Sequence, residues 1–139
     1  MLHEAIRIKN RLNAELILIH VGEKNTAQSE KLNLLLEKVG LAADQTEIIW
    51  QYGRPVEVLS SVCVAKNVDL LILGAMQHEN MLKYYTGSVA RKISRKPPCS
   101  LLLVTHPNSK ESRLNSIVVN GVNHSKTANT IHTALNFSN

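Results

Sequence analysis

The sequence predicts an α/β fold: a three-layer sandwich in which helices cover a mostly parallel five-stranded sheet. Three observations carry this. Short apolar runs alternate along the chain with segments of helical periodicity, the order that parallel pairing through helical crossovers requires. Hydrophobic residues make up 44% of the 139 residues but aromatics only 4%, so the core is aliphatic, as in strands buried on both faces. The stretch from Val68 to Val104 shows the unit in full. The run Val68-Asp69-Leu70-Leu71-Ile72-Leu73 turns at Gly74, Gly87-Ser88 opens the basic segment Val89 to Arg95, and a second apolar run fills Ser100 to Val104. Glycines before a helix N-terminus bring backbone N–H groups and a partial positive charge close to an anion, which is a way to hold phosphate.

The elements follow in order. Leu2 to Leu12 carries a helical stripe at Leu2, Ala5, Ile6, Ile8 and Leu12. Glu15 to Val21 (ELILIHV) is a short buried strand. Thr26 to Val39 is a second amphipathic helix, with Leu32, Leu35, Leu36 and Val39 inward and Gly40 as its stop. Thr46 to Gln51 is a strand. Gly53-Arg54-Pro55 turns the chain, and Pro55 suits the first turn of the helix Val56 to Lys66. Asp69 to Leu73 is the third strand, Thr86 to Ser94 a fourth helix and Ser100 to Val104 the fourth strand. His106 to Arg113 (HPNSKESR) is polar and reads as linker. Ser116 to Val119 is a fifth strand, followed by Asn120-Gly121. A last helix starts at an N-cap of Asn123 or Ser125 and runs through Ile131, Ala134, Leu135 and Phe137.

The two ends are alike. Between residues 1–10 (MLHEAIRIKN) and 130–139 (TIHTALNFSN), His3 matches His132, Ala5 matches Ala134 and Asn10 matches Asn139. Leu2, Ile6 and Ile8 correspond to Ile131, Leu135 and Phe137. Two readings stay open: chance similarity between amphipathic helices, or one helix taken from consecutive copies of a repeated domain.

Charge and cysteines bound the function. The formal net charge of +5 is compatible with anionic ligands, but a solvated basic surface is the plainer reading. Cys63 and Cys99 lack any CxxC neighbour and lie in apolar contexts, so buried thiols are expected rather than a zinc site. The first residues carry His3, Glu4, Arg7 and Lys9 instead of the apolar core of a signal peptide, and no run has the length of a membrane span. A reducing, cytoplasmic setting is expected, with no membrane partner.

With these residues placed, the chain resembles the universal stress protein family over nearly its whole length. That family's fourth strand leads into Gly-x2-Gly-x9-Gly-Ser/Thr. Here Gly74-Ala75-Met76-Gln77, then His78 to Thr86, then Gly87-Ser88 keep the spacing, with Gln77 at the second glycine. GSVARKI followed by PPCSLLLV is the strongest match. Tyr52-Gly53-Arg54-Pro55 resembles the Gly-x-Pro that opens the family's third helix. The resemblance implies an adenine nucleotide alpha hydrolase-like sheet of spatial order 3-2-1-4-5. The family's first strand is absent from the start of this chain and appears near its end as Ser116-Ile117-Val118-Val119-Asn120-Gly121, with Asn120 where the family commonly has Asp. The expected organisation is therefore a universal stress protein domain lacking its first strand over 1–105 and a linker over 106–115. Residues 116–139 then hold the first strand and the start of the first helix of a following or permuted repeat. That strand is central in the family's sheet, so residues 116–120 are expected to fill the gap within this chain or, by swapping, in a neighbour.

The resemblance also implies a ligand: ATP or a related adenine nucleotide, with Mg accompanying it. Backbone N–H groups around Gly74, Gly87 and Ser88 would hold phosphates, Val21 would lie near the adenine, and Asn120 would meet the adenosine. Gln77 puts a side chain where the family has none, and Asn120 offers an amide in place of a carboxylate. Lys83, Arg91, Lys92, Arg95 and Lys96 surround the loop; a solvated helix face is the plainer reading than anion steering. Tyr84-Tyr85 suits packing of the loop, and too few aromatics interleave the basic residues for a nucleic-acid surface. The six histidines form no metal pattern, and neither Ser60-Ser61 nor Ser88 has an identifiable base. No enzyme is expected. Two functions compete: a nucleotide-responsive regulatory protein that dimerises along Ser100 to Val104 or by strand exchange and signals to a regulatory protein partner, or a non-binding interaction module of a tandem protein. Preserved glycine spacing favours the first; Gln77 and Asn120 favour the second.

Overall fold

The computed structural model describes residues 1–41, 46–74, 89–105, 118–119 and 127–138. Among them run α1 (Leu2–Leu12), β1 (Ile17–Val21), α2 (Thr26–Lys38), β2 (Glu47–Gln51), α3 (Pro55–Ala65), β3 (Leu70–Gly74), α4 (Val89–Arg95), β4 (Ser100–Val104) and α5 (Thr127–Ser138). Helices and strands alternate through β4, as the apolar pattern predicts.

Local chemistry sets the helix ends. The Asn25 side chain accepts from the Gln28 N–H at 2.8 Å and caps α2. At the other end Gly40 takes φ 68°. The Gly40 N–H donates to the Glu37 carbonyl, and that of Leu41 to the Leu36 carbonyl, each at 3.0 Å. This is the Schellman pairing, and Leu36 and Leu41 are both buried beside it. The same pattern closes α1 and α3 with asparagines: Asn13 and Asn67 each sit at φ 49°, the left-handed region that asparagine tolerates better than most residues. Pro55 occupies the first turn of α3, where its missing N–H costs nothing.

The described strands form two parallel pairs, β1 with β2 and β3 with β4. Ile17 lies opposite Glu47 and Val21 opposite Gln51, while Leu70 faces Ser100 and Gly74 faces Val104. A side chain built on Gly74 would meet Met1 Cγ and Sδ at 3.3 Å, so α1 starts beside the end of β3 and returns to the start of β1. Its length of about 16 Å equals that of a five-residue strand, and β1 and β3 therefore run in the same direction.

Burial is lopsided. On one side Leu59 and Cys63 of α3, Leu71 of β3 and Ile93 of α4 form a core on which Ile19, Val21, Leu73 and Leu101 pack. On the other side α1 contributes no buried residue. Leu35 of α2, read as inward from its spacing, is 45% exposed. Both helices instead line a cavity of about 1020 Å³ between β1 and β3, and their apolar faces look into that space. The strand expected over Ser116 to Val119 falls largely outside the described residues. Val118 and Val119, which are described, belong to no strand, and Val118 is 95% exposed.

Candidate functional site

Parallel strands pointing one way gather their carboxyl ends at one edge, and loops leaving that edge build the sites of open α/β sheets. Here the edge carries Val21-Gly22 after β1, Gln51 and Gly53 around the end of β2, and Gly74 at the end of β3.

Val21 is half-buried and packs on the α3–α4 core, which anchors the end of β1. Gly22 follows at φ 156°, and a side chain there would press on His20 Nε2 at 3.0 Å. His20 lies opposite Trp50 in the register, and the two rings meet with centroids 4.4 Å apart, tilted by 47°. Both residues line the cavity. Reading the two strands separately assigned no role to Trp50. Aligning ILIHV with EIIWQ puts His20 and Trp50 at the same position of paired strands, and that alignment is the signal that finds the contact. Gly74 is exposed and has ordinary strand geometry; its missing side chain makes room for Met1.

Of the expected site residues, Val21 ends β1 and Gly74 ends β3, each one residue beyond the last cavity-lining residue of its strand. Gln77, Gly87, Ser88 and Asn120 lie outside the described residues, as do Lys83 and Tyr84-Tyr85. Arg91, Lys92, Arg95 and Lys96 are all exposed, in keeping with a solvated helix face. Among the described residues no group of three or more His, Cys, Asp or Glu is placed to hold a metal ion, and no helix is long and apolar enough to cross a membrane.

The two thiols are unoxidised. Cys63 is 2% exposed and Cys99 half-buried beside it. Burial, then the charge of Cys99 and a hydrogen bond shared with it, raise the Cys63 pKa from an ordinary 9.0 to about 11. A thiol held protonated this strongly is a poor nucleophile at neutral pH. The folded thiol keeps its proton beyond the pH at which the unfolded one loses it. Its stabilising contribution is therefore whole below pH 9.0 and is lost as pH rises towards about 11. Urea unfolding from pH 8 to pH 11 should show the wild type losing stability relative to Cys63→Ala over this interval. Parallel curves would show that burial does not hold the proton.

The sequence model described as the universal stress protein family matches residues 1–105. A crystal structure of a universal stress protein in complex with cAMP is similar in fold: TM-score 0.55 and 21% identity, covering 73% of this chain and 85% of that one. Among curated proteins none matches the sequence.

Proposed function

The chain belongs to the universal stress protein family, and from that premise we propose that it is a regulatory domain that binds ATP or a related adenine nucleotide without efficient turnover. The observation that supports this is the cavity of about 1020 Å³ between β1 and β3, strands that end in Val21 and Gly74. A family relative of similar fold was crystallised with an adenine nucleotide, which supports the ligand class. In this reading Gly87 and Ser88 add backbone N–H groups and a hydroxyl for phosphate, and Asn120 meets the adenosine. Magnesium enters only as a companion of the phosphates. Absence of a nominated general base argues for binding over hydrolysis. The complete domain is a five-stranded, three-layer sandwich. Dimerisation along β4 and a regulatory protein partner complete the proposal, in the reducing cytoplasm where Cys63 and Cys99 remain thiols.

A second reading is favoured by Gln77 and Asn120: a tandem-protein interaction module that binds no nucleotide. Isothermal titration with ATP and cAMP on the full chain separates the two. Saturable binding near one nucleotide per chain is expected, and Gln77→Gly should tighten it about tenfold, equivalent to about 1.4 kcal/mol. A folded protein that takes up neither nucleotide, before or after that substitution, is the interaction module.

A further inference from the structure

Two thiols from separate parts of the chain meet in the α3–α4 core. Cys63, near the carboxyl end of α3, is 2% exposed and clusters with Leu59, Leu71 and Ile93. Cys99 immediately precedes β4, is half-buried and packs against that cluster. The backbone explains the meeting. The Val68 N–H donates to the Cys63 carbonyl at 2.9 Å, and Asn67 at φ 49° turns the chain from α3 straight towards β3. The Ser100 N–H donates to the Asp69 carbonyl at 3.2 Å, and Leu70 lies opposite Ser100. The start of β4 is thereby pinned beside the chain that leaves α3, which sets Cys99 against Cys63. The two side chains share a hydrogen bond, and both are free thiols. Cysteines that stand apart in a core are small hydrophobes. In contact, they hold the two sulfurs of one S–S bond.

We propose that Cys63 and Cys99 form a reversible oxidation site, which hydrogen peroxide converts from two thiols into one intramolecular disulfide. Exposure assigns the order of events. A reagent reaches half-buried Cys99 before it reaches Cys63. The Cys99 thiolate attacks one peroxide oxygen and the O–O bond breaks. The sulfur is oxidised to a sulfenic acid, and the other oxygen leaves as hydroxide, which the proton shed by Cys99 turns into water. The Cys63 sulfur then attacks that of Cys99. The S–S bond forms, the S–O bond breaks, and the Cys63 proton leaves with the hydroxyl as a second water. In sum, two thiols and one peroxide give one disulfide and two waters. Burial keeps Cys63 protonated, so it does not compete for the oxidant, and its contact with Cys99 makes up by proximity for its small thiolate fraction. A low-molecular-weight thiol reverses the reaction by exchange.

The bond ties the end of α3 to the start of β4 and closes a loop that contains β3 and α4. The folded chain already holds its two ends together, whereas the unfolded chain does not, so the cross-link restricts mainly the unfolded state. Peroxide thus locks the side of the domain that carries Leu59, Leu71 and Ile93, and a reductant releases it. The chemistry needs no nucleotide, so it stands apart from the ligand reading.

The test treats the full chain with hydrogen peroxide in the absence of denaturant, with N-acetylcysteine in a parallel sample as a fully exposed thiol. Mass spectrometry of the digest should find Cys63 and Cys99 linked within single chains, and dithiothreitol should restore both thiols. Cys63→Ala should stop at a sulfenic acid on Cys99, trapped by dimedone. In Cys99→Ala, Cys63 should oxidise at least about tenfold more slowly than Cys99 does in the wild type. The thermal midpoint of the oxidised chain should lie about 10 °C above that of the reduced chain. Small additions of urea, well below the unfolding transition, should leave the rate of linkage unchanged, as a reaction of the folded state requires. Four outcomes overturn the proposal. One is a chain that keeps both thiols while N-acetylcysteine is consumed. Another is linkage between chains in place of linkage within them. The third is a rate that climbs with urea in step with the unfolding equilibrium, which means that only the unfolded chain reacts. The last is a linked chain whose thermal midpoint does not rise, which means that the bond locks nothing. Nucleotide titration reads none of these quantities, so failure here and failure of the ligand reading are distinguishable.

Discussion

Ile93→Ala is expected to cost about 2–5 kcal/mol, towards the upper end of that range. Ile93 is 0% exposed and stands where α4 meets Leu59 and Cys63 of α3 and Leu71 of β3, with Ile19 of β1 and Leu101 of β4 packed around that cluster. Neighbours contributed by so many separate elements cannot all move inwards together, so most of the deleted volume stays as a cavity. This core is also what ties the β1–β2 pair to the β3–β4 pair. Against a domain stability of about 5–15 kcal/mol, the loss removes a large share. Urea unfolding should show a lower midpoint with an unchanged slope, and Ile93→Val should cost only about 0.5–1.5 kcal/mol. A loss below about 1 kcal/mol for the alanine variant would mean that α4 is not a structural part of the core.

Gly53→Ala should be the next most damaging change. Gly53 takes φ 143°, and a Cβ there would stand 2.9 Å from Val58 Cγ2. Val58 is buried, β-branched and fixed in α3, so it cannot swing aside. Backbone strain and overpacking each cost about 1–3 kcal/mol. Adding Val58→Ala should return the packing part and leave the backbone part. The interaction energy in that double-mutant cycle is expected to favour the pair by about 1 kcal/mol or more. Strict additivity would place the whole cost in the backbone.

Legibility in the sequence followed the range of the forces involved. The helices α1, α2 and α3 and all four strands were visible because each depends on spacing within a few residues: the stripe from Leu2 to Leu12, the run Leu70 to Leu73, the Gly40 stop that takes φ 68°. The left-handed caps at Asn13 and Asn67 went unread, because asparagine only permits that conformation where glycine announces it. Periodicity alone points Leu35 inward; it lines the cavity but is 45% exposed, since inwardness is a direction and burial needs something opposite. At the candidate site, the resemblance to the family points to Val21 and Gly74, which end β1 and β3. The His20–Trp50 contact was not legible, since a cross-strand pair exists only once the register is known.

The sequence by itself determined the α/β class, the alternation of elements and the family, because periodicity, turn chemistry and glycine spacing are written locally. Only the tertiary structure decided how the described strands divide: two parallel pairs, one shared core on the α3–α4 side and an open apolar cavity on the α1–α2 side. Which edges are left facing one another depends on hydrogen-bond register and on contacts between residues far apart in the chain. No local pattern encodes either, because the energy of a sheet edge is settled by what lies beside it in space.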